Sequence, residues 1–229
     1  MVAPVFEYGK GQDRSRFALA CSAVASPVYL PEEEALRVIA EELARAGLTV
    51  SARNVEFPAV TIRGRECHEG YSWVAGGWKM QFADVTGPLE ADFLIDAQRI
   101  VVEYVARDDF DRLGGNDEGQ WSMDIKGVAT SVGREVEQQG RGFYFGAFYD
   151  PVVWDDDFHE PPATAVQAWE RTHEGATTPE EEEAKFRAYM RLCDEAAAKA
   201  RAEASARAQE LLRQQVRDFV DWLKAQGVI

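Results

Sequence analysis

The sequence predicts an α+β fold: an antiparallel strand meander plus one further strand after a helix (an αβββαβ-like core), helices packed on the sheet, and a long C-terminal helix. Three observations predict it. An apolar stripe at helical spacing lies between Pro31 and Ala46. Short strand-like runs with turn punctuation follow it as far as Ala106. A second helical stripe then precedes an aromatic run that ends at Tyr149. The 229 residues are 46% hydrophobic and 11% aromatic, with six Trp, enough for a sizeable core and unlike a disordered chain. The expected organisation is a globular domain over 1–177 and a long helix over 178–229, packed on it or projecting from it.

Residues Met1–Arg16 are polar and read as an arm or an irregular first strand. Phe17–Val24 is a short apolar run that periodicity assigns to neither helix nor strand. Pro31–Ala46 is a helix. Pro31 suits the first helical position, and Glu32, Glu33 and Glu34 face the positive end of the dipole. Leu36, Ile39, Ala40 and Leu43 make its stripe, and Gly47 stops it. Strands are expected at Thr49–Phe57, Val60–Glu66, Tyr71–Ala75 and Trp78–Val85, the last two flanking the turn pair Gly76-Gly77. Asp92–Asp96 and Arg99–Ala106 flank Ala97-Gln98, and Asp108–Gln120 is an acidic, Gly-containing loop. A second helix runs from an N-cap at Ser122 to Gln139 with the stripe Ile125, Val128, Val132 and Val136. Gly142–Tyr149 is a strand buried on both faces.

After a loop at Val152–Thr177, with a short helix at Ala163–Arg171, the last helix opens on Thr178 as N-cap, Pro179 and a capping-box Glu181. It runs to Gln226, so it must break or project. Its apolar positions are Phe186, Met190, Cys193, Ala197, Ala200, Ala204, Ala208 and Leu211, then Val216, Phe219, Val220 and Leu223. The alanine seam suits a closely packed helix, against the protein's own body, a second copy or a docked partner.

Net charge is −15, and its distribution is local. Asp84–Asp124 holds eleven acids and three bases, and Asp150–Glu160 holds five acids and no base. Such a chain repels phosphate backbones, so nucleic acid is not the expected partner. A protein partner with a basic surface, or a cation, is. Cys21, Cys67 and Cys193 are odd in number and far apart, which points to a reducing compartment, and the cytoplasm is the expected location. No run approaches 18 uninterrupted apolar residues, so no membrane span is expected.

The most informative constellation is the hairpin Asp92–Glu103. A tight turn at Ala97-Gln98 makes opposed positions sum to 195, so Leu94 faces Val101 and Asp92 faces Glu103. Directly opposed side chains lie about 5 Å apart at Cβ, and like charges there cost sheet stability unless offset. A divalent metal ion, Mg2+ or Mn2+, would offset them, as would a shared proton or a nearby Arg or Lys. Phe93, Ile95, Ile100, Val102 and Tyr104 form the core face, which leaves the carboxylates on a second, partly covered face.

The order helix, antiparallel strands, helix, strand over Pro31–Tyr149 resembles the PD-(D/E)xK restriction-endonuclease-like superfamily. The resemblance implies a metal-dependent phosphodiesterase site. Asp92 or Asp96 would match the family's Asp and Glu103 its Glu. Glu103-Tyr104-Val105 puts Val where the family's catalytic Lys stands, and Lys126 on the next helix is the evident substitute. The metal ligands of such a site are therefore Asp92, Asp96 and Glu103, with Lys126 stabilising developing charge.

The second acidic cluster, Asp150, Asp155, Asp156, Asp157, His159 and Glu160, lacks calcium-loop spacing and reads as a solvated loop. Cys67 and His68 are adjacent on a strand and so face opposite sides. Trp73, Trp78, Trp121 and Trp154 read as core packing. Two functions follow from these patterns. One is a non-enzymatic protein of inhibitor or immunity type, binding through its acidic surface and C-terminal helix. The other is the nuclease-like hydrolase with a carboxylate metal site.

Overall fold

A computed structural model describes residues 1–14, 27–72, 77–110, 122–140, 142–154, 167, 170 and 178–229. The chain divides into two compact units. The first comprises Met1–Ser15, Tyr29–Val152 and Ala208–Ile229, and the second Arg16–Val28 and Val153–Arg207. The fold is mixed α+β, with the predicted order of a helix, a three-strand meander, a helix and a further strand. The expected segment Phe17–Val24, residues 111–120 of the expected loop Asp108–Gln120, most of the expected 163–171 helix, and Cys21, Trp73 and Trp121 lie outside the described residues.

In the first unit a short strand β1 (Gln12–Arg14) precedes helix α1 (Glu32–Arg45). Pro31 sits one residue ahead of α1 rather than inside it, and its carbonyl accepts from Glu34 N and Ala35 N. The buried stripe is Ala35, Val38, Ile39, Glu42 and Leu43, so Leu36 and Ala40 flank the covered face. Gly47 takes φ +78°, the left-handed stop the sequence predicts.

The strands expected at 49–57 and 60–66 are one strand, β3 (Ala52–Ser72), paired antiparallel with β4 (Gly77–Ile95). Pro58 reads as a terminator because it lacks an N–H. The register slips between Phe57 and Val60, and this bulge lets the ladder resume beyond the proline. β4 pairs antiparallel with β5 (Ile100–Val105) as Phe93 with Val102, Leu94 with Val101 and Ile95 with Ile100, the register the sequence predicts. The connection is a 3-10 turn over Asp96–Gln98, with Arg99 left-handed at φ +54°.

Beyond β5 lies a single helical turn, α2 (Arg107–Phe110). Ser122 does not cap the next helix. It lies in β6 (Ser122–Asp124), which pairs with β1. The cap of α3 (Ile125–Gln139) is Asp124, whose Oδ1 accepts from Gly127 N at 2.8 Å. Its predicted stripe Ile125, Val128, Val132 and Val136 is buried.

Strand β7 (Tyr144–Tyr149) runs parallel to β5, giving the sheet order β3-β4-β5-β7. The N-terminal arm adds a parallel bridge at β7's other edge, Val2 opposite Phe145. Alternation along β7 builds two layers. Phe145, Ala147 and Tyr149 join the core beneath α3, with Val101, Val105 and Phe110. Tyr144, Gly146 and Phe148 face the last helix.

The last helix, α4 (Pro179–Ala225), opens with Glu181 N donating to Thr178 Oγ1 and does not break. Its residues in the first unit bury Ala208, Leu212, Gln215, Val216, Phe219, Val220 and Leu223, so Leu212 takes the place expected of Leu211. Gln215 is wholly buried. Its Oε1 accepts from Tyr149 N and its Nε2 donates to Tyr149 O, extending β7's hydrogen bonding onto a helix side chain.

In the second unit, β2 (Pro27–Val28) pairs antiparallel with β8 (Val153–Trp154). On the α4 turns of that unit, Ala197 and Ala204 are buried, whereas Phe186 and Met190 are 48% and 41% exposed. Among the described residues, no helix is long and apolar enough to cross a membrane.

Candidate functional site

The two hairpin acids lie just past the registered end of the β4–β5 ladder. Asp92 and Glu103 follow directly on the last registered pair, Phe93 with Val102. Asp92 is 9% exposed and Glu103 1%, so both lie inside the protein, not on a partly covered face. Two features account for this. Glu103 alternates with Val101 and Val105, which lie in the core under α3, and that helix brings Val128 and Val132 onto the same layer. Asp92 Oδ2 accepts from Tyr104 N at 2.6 Å, so this carboxylate satisfies a strand amide. Such a charge-assisted bond fixes the carboxylate against β5.

The other two predicted residues stand apart. Asp96 is exposed on the 3-10 turn, where its N–H donates to Ser51 Oγ and its carbonyl accepts from Arg99 N. Lys126 lies in the first turn of α3. Its ammonium reaches Glu7 Oε1 at 2.6 Å, and this contact holds the Glu7 carboxyl below its ordinary range. Val105, two residues after Glu103, is fully buried. The hairpin therefore supplies two buried carboxylates, Asp92 and Glu103. Among the described residues no group of three or more His, Cys, Asp or Glu is placed to hold a metal ion.

Sequence reasoning missed two buried acids. Asp150, read as part of a solvated loop, is completely buried beside the end of β7. Its Oδ2 accepts from Leu30 N and its Oδ1 from Val152 N, each at 2.8 Å. Burial pushes its carboxyl up to about 6, against the opposing pull of those two N–H groups and of the nearby Tyr104 hydroxyl. The remaining acids of that predicted cluster, Asp155 to Glu160, lie outside the described residues. Glu42 is the second. It sits on the buried face of α1, ringed by Arg45, Arg213 and Arg217. The signal for Glu42 was its place one helical turn after Val38 and beside Leu43, inside the apolar stripe. For Asp150 the signal was Pro151, which leaves an Asx turn to Val152 as the local hydrogen bond.

Exposed carboxylates are placed with less regard for stability. On the β3–β4 ribbon Glu56 stands directly opposite Glu90, and both are exposed. Further along, Thr61 faces Thr86 and their hydroxyls share a hydrogen bond of 3.0 Å, a stabilising cross-strand pair. The glutamate pair is the opposite case, two like charges in register.

No protein-family model, curated protein or solved structure matches this chain.

Proposed function

We propose that the chain works by binding a protein partner of basic surface, in the manner of an inhibitor or immunity-type protein. The observation that carries this reading is the exposed pair Glu56 opposite Glu90. Like charges in register cost a sheet several tenths of a kcal/mol, and a cationic partner would turn that cost into attraction. The overall charge of −15 supports the same class of partner and disfavours nucleic acid.

The test uses the full chain and a defined basic probe, poly-L-lysine, in a binding titration at low and at moderate salt. Exchanging Glu56 and Glu90 together for Lys is expected to weaken binding about tenfold more than exchanging Glu180 and Glu182, which carry the same charge on exposed helix turns. Equal loss in the two variants would reduce the effect to net charge and remove the ribbon from the reading. The single exchange Glu56→Lys is also expected to raise stability by about 0.5 kcal/mol in urea denaturation, because it replaces a like pair with an opposite one.

The buried hairpin acids Asp92 and Glu103 favour a second reading, the metal-dependent hydrolase. Titration calorimetry with Mg2+ and Mn2+ separates the two. The binding-protein reading expects no saturable uptake at millimolar metal. Uptake that disappears in Glu103→Ala would favour the hydrolase.

A further inference from the structure

Strand β4 changes its pattern along its length. Near the sheet its odd positions are the covered ones: Leu89 and Ala91 are buried, whereas Thr86, Pro88 and Glu90 are exposed. Further out the apolar residues fall on the even positions, Trp78, Met80 and Phe82, and the odd positions hold Lys79, Gln81 and Ala83. The ladder with β3 carries this through. Tyr71 pairs with Trp78, Glu69 with Met80 and Cys67 with Phe82, while Gly70 pairs with Lys79, His68 with Gln81 and Glu66 with Ala83. Residues two apart on a strand share a face, so the first three pairs make one face and the last three the other. Both register shifts add residues to β3 and none to β4, so alternation along β4 is unbroken. The aromatic face of this outer arm is therefore the continuation of the exposed side of the ribbon, opposite the side on which Leu89 and Ala91 join the core.

We propose that this face joins two copies of the chain, arm against arm across a two-fold axis.

Three observations favour a second copy. Among the described residues β5 registers with β4 only from Phe93 to Ile95, and no other strand registers with residues 61–72 or 77–86 of the ribbon except each with the other. A two-stranded ribbon with no third strand or helix on its apolar face is marginally stable in water, so such a face gains from being covered. Residues 61–86 hold three bases, Arg63, Arg65 and Lys79, and three acids, Glu66, Glu69 and Asp84. That stretch is neutral in a chain of net charge −15, so two copies meet there without the repulsion that the acidic stretches would bring. Tyr71, Trp78, Met80 and Phe82 are of the types enriched in interface cores. Together they offer roughly 500–700 Å2 per copy, so about 1,000–1,400 Å2 for a pair, the size at which specific interfaces begin. Glu69 stands on the edge strand, where the rim of a dimer keeps water and a lipid interior would not.

Sedimentation velocity of the full chain, run as a dilution series, tests this. A monomer–dimer equilibrium with a micromolar Kd is expected. Met80→Glu adds one charge to the aromatic face, and Gln81→Glu adds the same charge to the opposite face of the same strand. The first is expected to raise Kd at least about 30-fold and the second less than about threefold. Amide hydrogen exchange of the wild-type chain supplies a readout that needs no variant to fold. On dilution from dimer to monomer, exchange at residues 78–82 should quicken about tenfold, with Val102 in the centre of the sheet unchanged. A chain that stays monomeric at about 200 µM would overturn the proposal. So would a dimer that withstands Met80→Glu, or one that both variants weaken alike. Binding of the monomer to phosphatidylcholine vesicles, lost in Met80→Glu, would overturn it too and give the face to lipid.

Discussion

Phe219→Ala is expected to lower stability by about 3–5 kcal/mol, seen as a fall in the urea midpoint with the slope unchanged. The ring is fully buried and meets Phe148 edge-on at 5.5 Å between centroids. It also stacks on Trp222 at 5.9 Å. It owes its place to Gly146. A Cβ built at that position would lie 2.8 Å from the Phe219 ring, closer than packed carbons approach. Strand β7 thus leaves a gap the width of a methyl group, and α4 fills it with an aromatic. Gly146→Ala alone should therefore destabilise by about 1–3 kcal/mol through overpacking. The two positions share one volume, so their effects should not add. Gly146→Ala in a Phe219→Leu background is expected to cost less than in the wild type. Simple additivity in a double-mutant cycle would show that the ring moves aside freely and that this contact does not fix the helix on the sheet.

That junction was half legible in the sequence. Phe219 falls on the apolar stripe of the last helix, and Gly142–Tyr149 reads as a doubly buried strand, so each partner could be assigned to the core. Their meeting could not, because it joins residues more than 70 positions apart. The same division runs through the candidate site. The pairing of Leu94 with Val101 follows from turn length alone, a local property, and the hairpin has that register. The depth of Glu103 depends on α3 lying over its side of β5, which no hairpin arithmetic contains. Pro58 shows the reverse failure. A proline that locally ends a strand sits here at a bulge, which lets the ladder continue to Ser72. Asp150 failed for a third reason. An acidic run follows it in sequence from Asp155, but its own neighbours in space are backbone amides, one of them 120 residues away. Charge runs predict solvent only when the fold supplies no donors.

Glu42 leads to the second large effect. Its carboxylate is nearly inaccessible to solvent and accepts from Arg217 Nε and Arg217 Nη2, each at 3.3 Å, while Arg45 bonds the same group from its own helix. Arg213 Nε stands 3.8 Å away. Contact with Glu42 and Glu210 raises the Arg217 guanidinium further above its already high range, so it remains charged. Removing one partner of a buried ion pair costs about 3–5 kcal/mol when the other is left stranded. Here the arginines are partly exposed and can turn to water, which screens the loss. Glu42→Ala is therefore expected to cost about 2 kcal/mol, less than Phe219→Ala. It differs in kind as well. The Glu42 contribution should shrink in 0.5 M NaCl, whereas the Phe219 contribution should not. The cycle Glu42→Ala with Arg217→Ala should return a coupling of about 1 kcal/mol, direct evidence that α1 and the end of α4 are joined by charge. A coupling near zero, with the loss in Glu42→Ala unchanged by salt, would mean that the glutamate contributes through packing of its methylenes, and that the hydrophobic contacts around Phe219 hold α4 without help from the arginines.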